Sequence, residues 1–92
     1  MSRPPNIIFI GKKPIMTYVN ATLTLLSNEP VVTIKARGKS ITTAVDVSQM
    51  IVKRLNAVGY KVSGVRIFSE RMKSLDGKER NVSTIEVDVS RP

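Results

Sequence analysis

The sequence predicts a small α/β domain: a compact two-layer β-α-β-α-β-β sandwich with a protruding β-hairpin. Three observations predict it. Two stretches carry apolar residues at three-to-four-residue spacing, the mark of a helix with one face on a core. Residues 31–37 and 84–90 instead alternate apolar and polar, the mark of a strand with one face buried. An Asp-Gly pair, Asp76-Gly77, divides two long strand-like runs and reads as a hairpin turn. At 92 residues the chain is one domain, and with 41% hydrophobic residues it can pack a core. A separate cofactor domain and a disordered basic tail are both excluded. A chain this short buries only roughly 60% of its unfolded surface, so oligomerisation is an expected supplement.

Residues 1–6 read as a flexible lead, because Pro4-Pro5 fits neither a helix interior nor a central strand, and residues 7–92 as the single domain. Ile7-Ile8-Phe9-Ile10 is a run of four large apolar residues, expected as a strand covered on both faces. Phe9 and Tyr18 are assigned to the core. Pro14 is expected at the first helical position, where its missing N–H costs nothing. Ile15, Tyr18, Val19, Leu23 and Leu26 then form the buried stripe of the first helix, which Asn28-Glu29-Pro30 ends. In the next strand Val32, Ile34 and Ala36 face inward, and Thr33, Lys35 and Arg37 outward.

Gly38-Lys39-Ser40 follows, with Ser40 the expected N-cap of a second helix. That helix presents Ile41, Ala44, Val45, Ile51, Val52 and Leu55 on one face, and Gly59 is its expected left-handed terminator. Val47 and Met50 lie off the stripe; a partner surface and a wide core stripe explain them equally well. Val47, Met50, Leu55 and the hairpin base are therefore the candidates for a dimer interface. In the last strand Ile85, Val87 and Val89 face inward, with Thr84, Glu86, Asp88 and Ser90 outward. A strand over residues 60–73 would span about 46 Å at ~3.3 Å per residue. A 13-residue helix covers only about 20 Å. The distal half of the hairpin should therefore project as a solvated two-stranded arm.

Charge and missing residue types narrow the chemistry. Fifteen Lys+Arg against seven Asp+Glu leave a net charge of +8. There is no cysteine and no histidine, which removes disulfides, thiolate catalysis and the commonest general base and metal ligand. Glu86 and Asp88 share a strand face, but nothing nearby completes an acid–base or metal site, so no enzyme activity and no cofactor are expected. No apolar run approaches a membrane span and no signal-peptide pattern opens the chain.

Two glycine turns carry cations before the two helices: Gly11-Lys12-Lys13 and Arg37-Gly38-Lys39. If the first two strands are parallel neighbours, both turns emerge at one end of the sheet, where helix starts also favour anions. Residues 1–39 hold six of the cations and one acid, so most of the excess sits with these turns. Lys12, Lys13, Arg37 and Lys39 thus form a candidate phosphate-binding surface. A nucleotide fits poorly, since the glycine and Ser/Thr pattern of a P-loop and the Gly-x-Gly-x-x-Gly fingerprint are both missing. A polyanionic strand fits a distributed patch better. Aromatics number two Phe and two Tyr, so recognition is expected to use backbone and shape rather than base stacking.

The motifs Ile-Gly-Lys-Lys-Pro at 10–14, Ile-Lys-Ala-Arg-Gly-Lys at 34–39, Ala-Val-Asp at 44–46 and Asp-Gly…Val-Ser-Thr-Ile-Glu at 76–86 resemble Alba, a family of small basic chromatin proteins of archaea. The resemblance runs over about residues 7–89 in the right order and spacing. It implies an Alba-type fold, shared with the C-terminal domain of a translation initiation factor. It further implies a homodimer, or a heterodimer with a paralogue, that coats and condenses double-stranded DNA without sequence specificity and can bind RNA. By the same resemblance Lys12, Lys13, Arg37 and Lys39 contact nucleic acid, and the hairpin arms bring Arg71, Lys73, Lys78 and Arg80 to the minor groove. Lys12 corresponds to a lysine that is reversibly acetylated, and the protein would be cytoplasmic, on the nucleoid. Family members that pack dimer against dimer carry an aromatic where this chain has Lys53-Arg54-Leu55, a departure that implies weaker cooperative coating and a second-type paralogue. The alternatives are an RNA-binding protein of a ribosomal or RNA-processing complex, and a scaffold subunit whose charge only aids solubility.

Overall fold

The computed structural model describes residues 6–92, so the expected flexible lead, apart from Asn6, lies outside the described residues. Asn6 itself is tied to the sheet: its side chain donates to the Val31 carbonyl (3.1 Å), and its own carbonyl accepts from the Thr33 N–H (2.8 Å). Strand β1 (Ile7–Phe9) leads to helix α1 (Ile15–Leu26), β2 (Val31–Arg37), helix α2 (Ile41–Leu55), β3 (Lys61–Lys73) and β4 (Glu79–Ser90). Short 3₁₀ turns, Gly38–Ser40 and Asn56–Val58, flank α2. The strands form one sheet in the order β1-β2-β4-β3, with β1 parallel to β2 and the other two pairings antiparallel.

Both helices pack on one face of this sheet. Val32, Ile34 and Ala36 of β2 meet Ile85, Val87 and Val89 of β4 and the buried faces of the helices (Tyr18, Val19 and Leu26; Ala44, Val47 and Ile51). The alternation in β2 is as expected, because only a two-residue period can bury one face of a strand. Strand β1 is different. Its apolar run predicts cover on both faces, yet it is three residues long at the sheet edge, and Phe9 lies 38% exposed. Ile10 reaches the core and Phe9, one residue away, points to the other face. Assigning Phe9 to the core is therefore corrected; Tyr18, 6% exposed, is in it.

Three local expectations shift. Pro14 is the N-cap of α1 rather than its first helical residue, and its carbonyl accepts from the Thr17 N–H (2.9 Å). Ser40 makes no side-chain cap: the 3₁₀ turn runs directly into α2, and Ser40 already has helical angles. The stripe of α2 is centred on Ala44, Val47, Ser48 and Ile51, which leaves Val45 41% exposed. Val47 is wholly buried and so has no surface to offer a partner, which removes it from the interface candidates. Met50 and Leu55 are half-buried against the core. Gly59 has φ +105°, the left-handed geometry expected of it, closing the 3₁₀ turn after α2.

The hairpin closes through residues 74–78. The Ser74 N–H donates to the Lys78 carbonyl (2.8 Å), and the Asp76 carboxylate accepts from the Lys78 N–H (3.1 Å) and from the Ser74 hydroxyl. Residues 71–73 and 75–81 are exposed, so the distal hairpin stands clear of the body, and the molecule measures 47 × 29 × 22 Å.

Candidate nucleic-acid interface

Parallel pairing of β1 with β2 puts both glycine turns at one end of the sheet. Phe9 is opposite Lys35, and the Ile10 N–H donates to the Lys35 carbonyl (2.9 Å). The chain then leaves β1 through Gly11-Lys12-Lys13 and β2 through Arg37-Gly38-Lys39. Lys12 and Arg37 therefore share a pole. Lys12, Lys13 and Lys39 are exposed there, and none makes an ion pair among the described residues. Gly38 turns the backbone at φ +57°, a conformation that suits glycine.

The first turn has an internal brace. Tyr18 lies one turn into α1, and helical side chains lean back toward the N-terminus. Its hydroxyl oxygen accepts the N–H groups of Gly11 (2.8 Å) and Lys13 (2.9 Å). Those two amides are thus spent inside the protein and are not donors that the turn offers to a ligand. A Cβ on Gly11 would come within 3.3 Å of the same oxygen. Neither helix has a capping side chain or an acid in its first turn.

Arg37 is not free. Its Nε donates to Oε1 of Glu70 (3.1 Å) and its Nη2 to Oε2 (3.3 Å). Glu70 belongs to a cluster on the helix-free face of the sheet. Lys35 lies between Glu70 (3.7 Å) and Glu86 (3.4 Å), with its ammonium about 6 Å above the rings of Phe9 and Phe68. Arg66 holds Asp88 through two parallel bonds of 2.8 Å and Glu86 through its Nε at 2.9 Å. Thr33 donates to Asp88 (2.7 Å) and Thr84 to Glu70 (3.0 Å).

These contacts set the ionisation of the cluster. The Arg66 guanidinium holds the carboxyls of Asp88 and Glu86 below their ordinary values, and Arg37, followed by Thr84, does the same for Glu70. Arg66 is in turn made more basic by Asp88 and Glu86. Three cations and three carboxylates cancel here, so the whole net charge of +8 resides outside this cluster. Glu86 and Asp88 do share a face, and Arg66 takes both. Among the described residues no group of three or more acids could hold a metal ion, and no helix is long and apolar enough to cross a membrane.

In the arm Arg71 pairs with Glu79 (3.4 Å). Lys73, Lys78 and Arg80 are exposed and make no ion pair among the described residues. The sequence reading missed the roles of Lys35, Arg66 and Glu70 and the brace by Tyr18. The signal for the cluster was present in the outward alternation of both strands, cations in one and acids in the other. Its pairing depended on β2 lying beside β4, which local pattern does not give.

The sequence profile of the Alba family matches residues 6–69. The chain belongs to the Alba family. It is 55% identical over 84 residues to the DNA/RNA-binding protein Alba of Nitrosopumilus maritimus (strain SCM1), a match covering 91% of this chain and 88% of that protein. In three dimensions it is similar to Alba from Thermoplasma volcanium, with a TM-score of 0.84, 41% identity, and 94% of this chain and 100% of that one covered. ALBA1 from Trypanosoma brucei is similar with a TM-score of 0.75 and 26% identity over 98% of this chain and 72% of that one. The Alba fold thus brings the two lysine-bearing turns to one pole and sends a cationic arm away from the body.

Proposed function

We propose that this Alba protein binds double-stranded DNA without sequence specificity, coats and compacts it as a dimer, and also binds RNA. The observation that carries the reading is the gathering of Lys12, Lys13 and Lys39 at one pole, exposed and without acidic partners among the described residues. Cations so placed meet phosphates without first giving up an internal partner. Lys73, Lys78 and Arg80 extend the same chemistry along the arm, whose two strands are of a size to follow a groove. Lys12 is exposed, as acetylation of its ammonium would require, and losing that charge would weaken phosphate attraction. The relative's name, DNA/RNA-binding protein, supports both nucleic acids as partners, and a nucleoid location follows from the DNA role.

The dimer reading rests on the hairpin base. There Val65 and Ile67 are 56% and 78% exposed, on the same side of the sheet as the helices. Ile67 lines an apolar groove with Ile41 and Ile85. A second copy is the occupant that coating by paired subunits requires.

Affinity measured across a salt series tests the mechanism. The slope of log K against log[salt] on duplex DNA should be steep, about −0.9 per phosphate neutralised. Replacing Lys12 and Lys13 by Glu should lower affinity about equally on unrelated sequences, with the melting temperature nearly unchanged. Flat salt dependence, or a loss confined to one sequence, would reject it.

A second reading, an RNA-binding subunit of a ribosomal or RNA-processing complex, is favoured by one observation. Phe68, 39% exposed on the helix-free face beside Lys35, offers a partly open ring to an unpaired base. Competition among duplex DNA, duplex RNA and single strands at matched salt separates the two.

A further inference from the structure

The donors around Glu70 are of the kind that bind phosphate. Arg37 offers two parallel N–H groups, Thr84 a hydroxyl that is almost wholly buried, and Lys35 an ammonium. They come from two adjacent strands and converge on one carboxylate. A phosphodiester presents two non-bridging oxygens much as a carboxylate presents its pair, and a guanidinium fork accepts either. Glu86 and Asp88 are each held by Arg66, whereas Glu70 depends chiefly on Arg37, the last residue of β2 before the cationic turn. Glu70 also stands at the root of the arm, with exposed residues directly after it. The side chains of Arg37 and Glu70 keep 35% and 29% of their surface open, so solvent and ligand reach them.

We propose that Arg37, Thr84 and Lys35 form a phosphodiester subsite which Glu70 fills with its own carboxylate, and that nucleic acid engages Arg37 by displacing Glu70. The proposal rests on the nucleic-acid reading above and adds to it a built-in competitor. With Glu70 displaced, Lys35 still faces Glu86 and Arg66 still faces Asp88, so the rest of the cluster stays paired. Arg37 is then left without a carboxylate of its own and supplies the net charge at the subsite, while Lys35, still beside Glu86, contributes as a second donor. Glu70 thus lowers the affinity of the unmodified protein and couples the turn at the end of β2 to the root of the arm.

The test is a double-mutant cycle on a duplex of about twenty base pairs, read by fluorescence anisotropy at fixed salt. Glu70→Gln should tighten binding about fivefold, because a hydrogen bond between charged groups no longer has to be exchanged. Arg37→Ala should cost about twofold in the wild type and about tenfold in the Glu70→Gln background. The salt slope of Glu70→Gln should steepen by about 0.9, one extra phosphate neutralised. Glu79→Gln removes the same charge from the arm and should leave the cost of Arg37→Ala unchanged. Glu70→Ala repeats the cycle without an amide oxygen for Arg37 to hold, and thermal melts confirm that each variant is folded. Equal costs of Arg37→Ala in both backgrounds, or weaker binding by Glu70→Gln, overturn the subsite. If the Lys12/Lys13 pair of substitutions abolishes binding while the cycle is additive, the subsite fails alone. If that pair has no effect either, the nucleic-acid reading fails with it.

Discussion

Tyr18 is buried for its ring and used for its hydroxyl. The ring fills the space between α1 and the sheet, and the oxygen accepts two amides of the Lys12-Lys13 turn at 2.8 and 2.9 Å. Tyr18→Phe keeps the ring and strands both amides. We expect a loss of about 1–2 kcal/mol in stability, the usual cost of removing a partner from half-buried donors. Amide exchange at Gly11 and Lys13 should accelerate while the sheet amides of β2 keep their protection. A loop that exchanges no faster in the variant would mean that the hydroxyl is not what holds it. Duplex affinity should fall modestly as well, because lysines on a loosened turn must be ordered again on binding. The cluster around Arg66 shows the opposite use of charge: its carboxylates are held ionised by a guanidinium and turned away from solution chemistry.

At the scale of elements, the hairpin is two structures in one. Its base pairs with β2 and lies beside the helices, while its tip touches nothing in the body. Stability and binding should therefore separate along it. Replacing Lys73, Lys78 and Arg80 by Gln is expected to leave the melting temperature within a degree or so, since surface substitutions away from special features change stability by about half a kcal/mol or less. The same triple substitution should reduce the salt slope on duplex DNA by about 0.9 for each phosphate that the arm no longer neutralises. Unfolding followed by circular dichroism, alongside binding titrations at several salt concentrations, checks both halves. A large drop in melting temperature would show that the arm is part of the folded core after all.

For the whole molecule, one face of the sheet is covered by helices and the other by a neutral ionic cluster. Lys12, Lys13 and Lys39 gather at one pole, the arm adds Lys73, Lys78 and Arg80, and Lys53, Arg54, Lys61 and Arg91 are exposed toward the opposite end of the sheet. Charge distributed in this way favours a long polyanion lying across the protein over a small anion in a cleft. The largest apolar surfaces left open belong to Ile67, Val65, Val58 and Leu75, and the first two lie together at the hairpin base. If a second copy covers the hairpin base as proposed, Ile67→Asp should lower the mass in sedimentation equilibrium from two chains to one without unfolding the chain, since Ile67 is already 78% exposed in the single subunit. Unchanged mass would place the interface elsewhere, with Met50 and Leu55 the next surfaces to vary.

The order of elements, the inward faces of β2 and β4, the hairpin turn and the two cationic loops were all legible in the sequence. Each depends on neighbours a few residues apart: a two- or four-residue period, an Asp-Gly pair, a glycine after a strand. Val47, Phe9 and Ser40 were misread because helix-stripe centring, edge position and entry through a 3₁₀ turn are decided by what packs against them. Strand order was the larger unknown. Only when β2 lies between β1 and β4 do Lys12 and Arg37 share a pole and do Lys35 and Arg37 meet the carboxylates of Glu70 and Glu86. The residues alone therefore determined that the chain is basic, α/β and armed with a hairpin. Which of its cations are already neutralised was decided by the tertiary structure, because ion pairs form between residues that only the sheet register brings within reach.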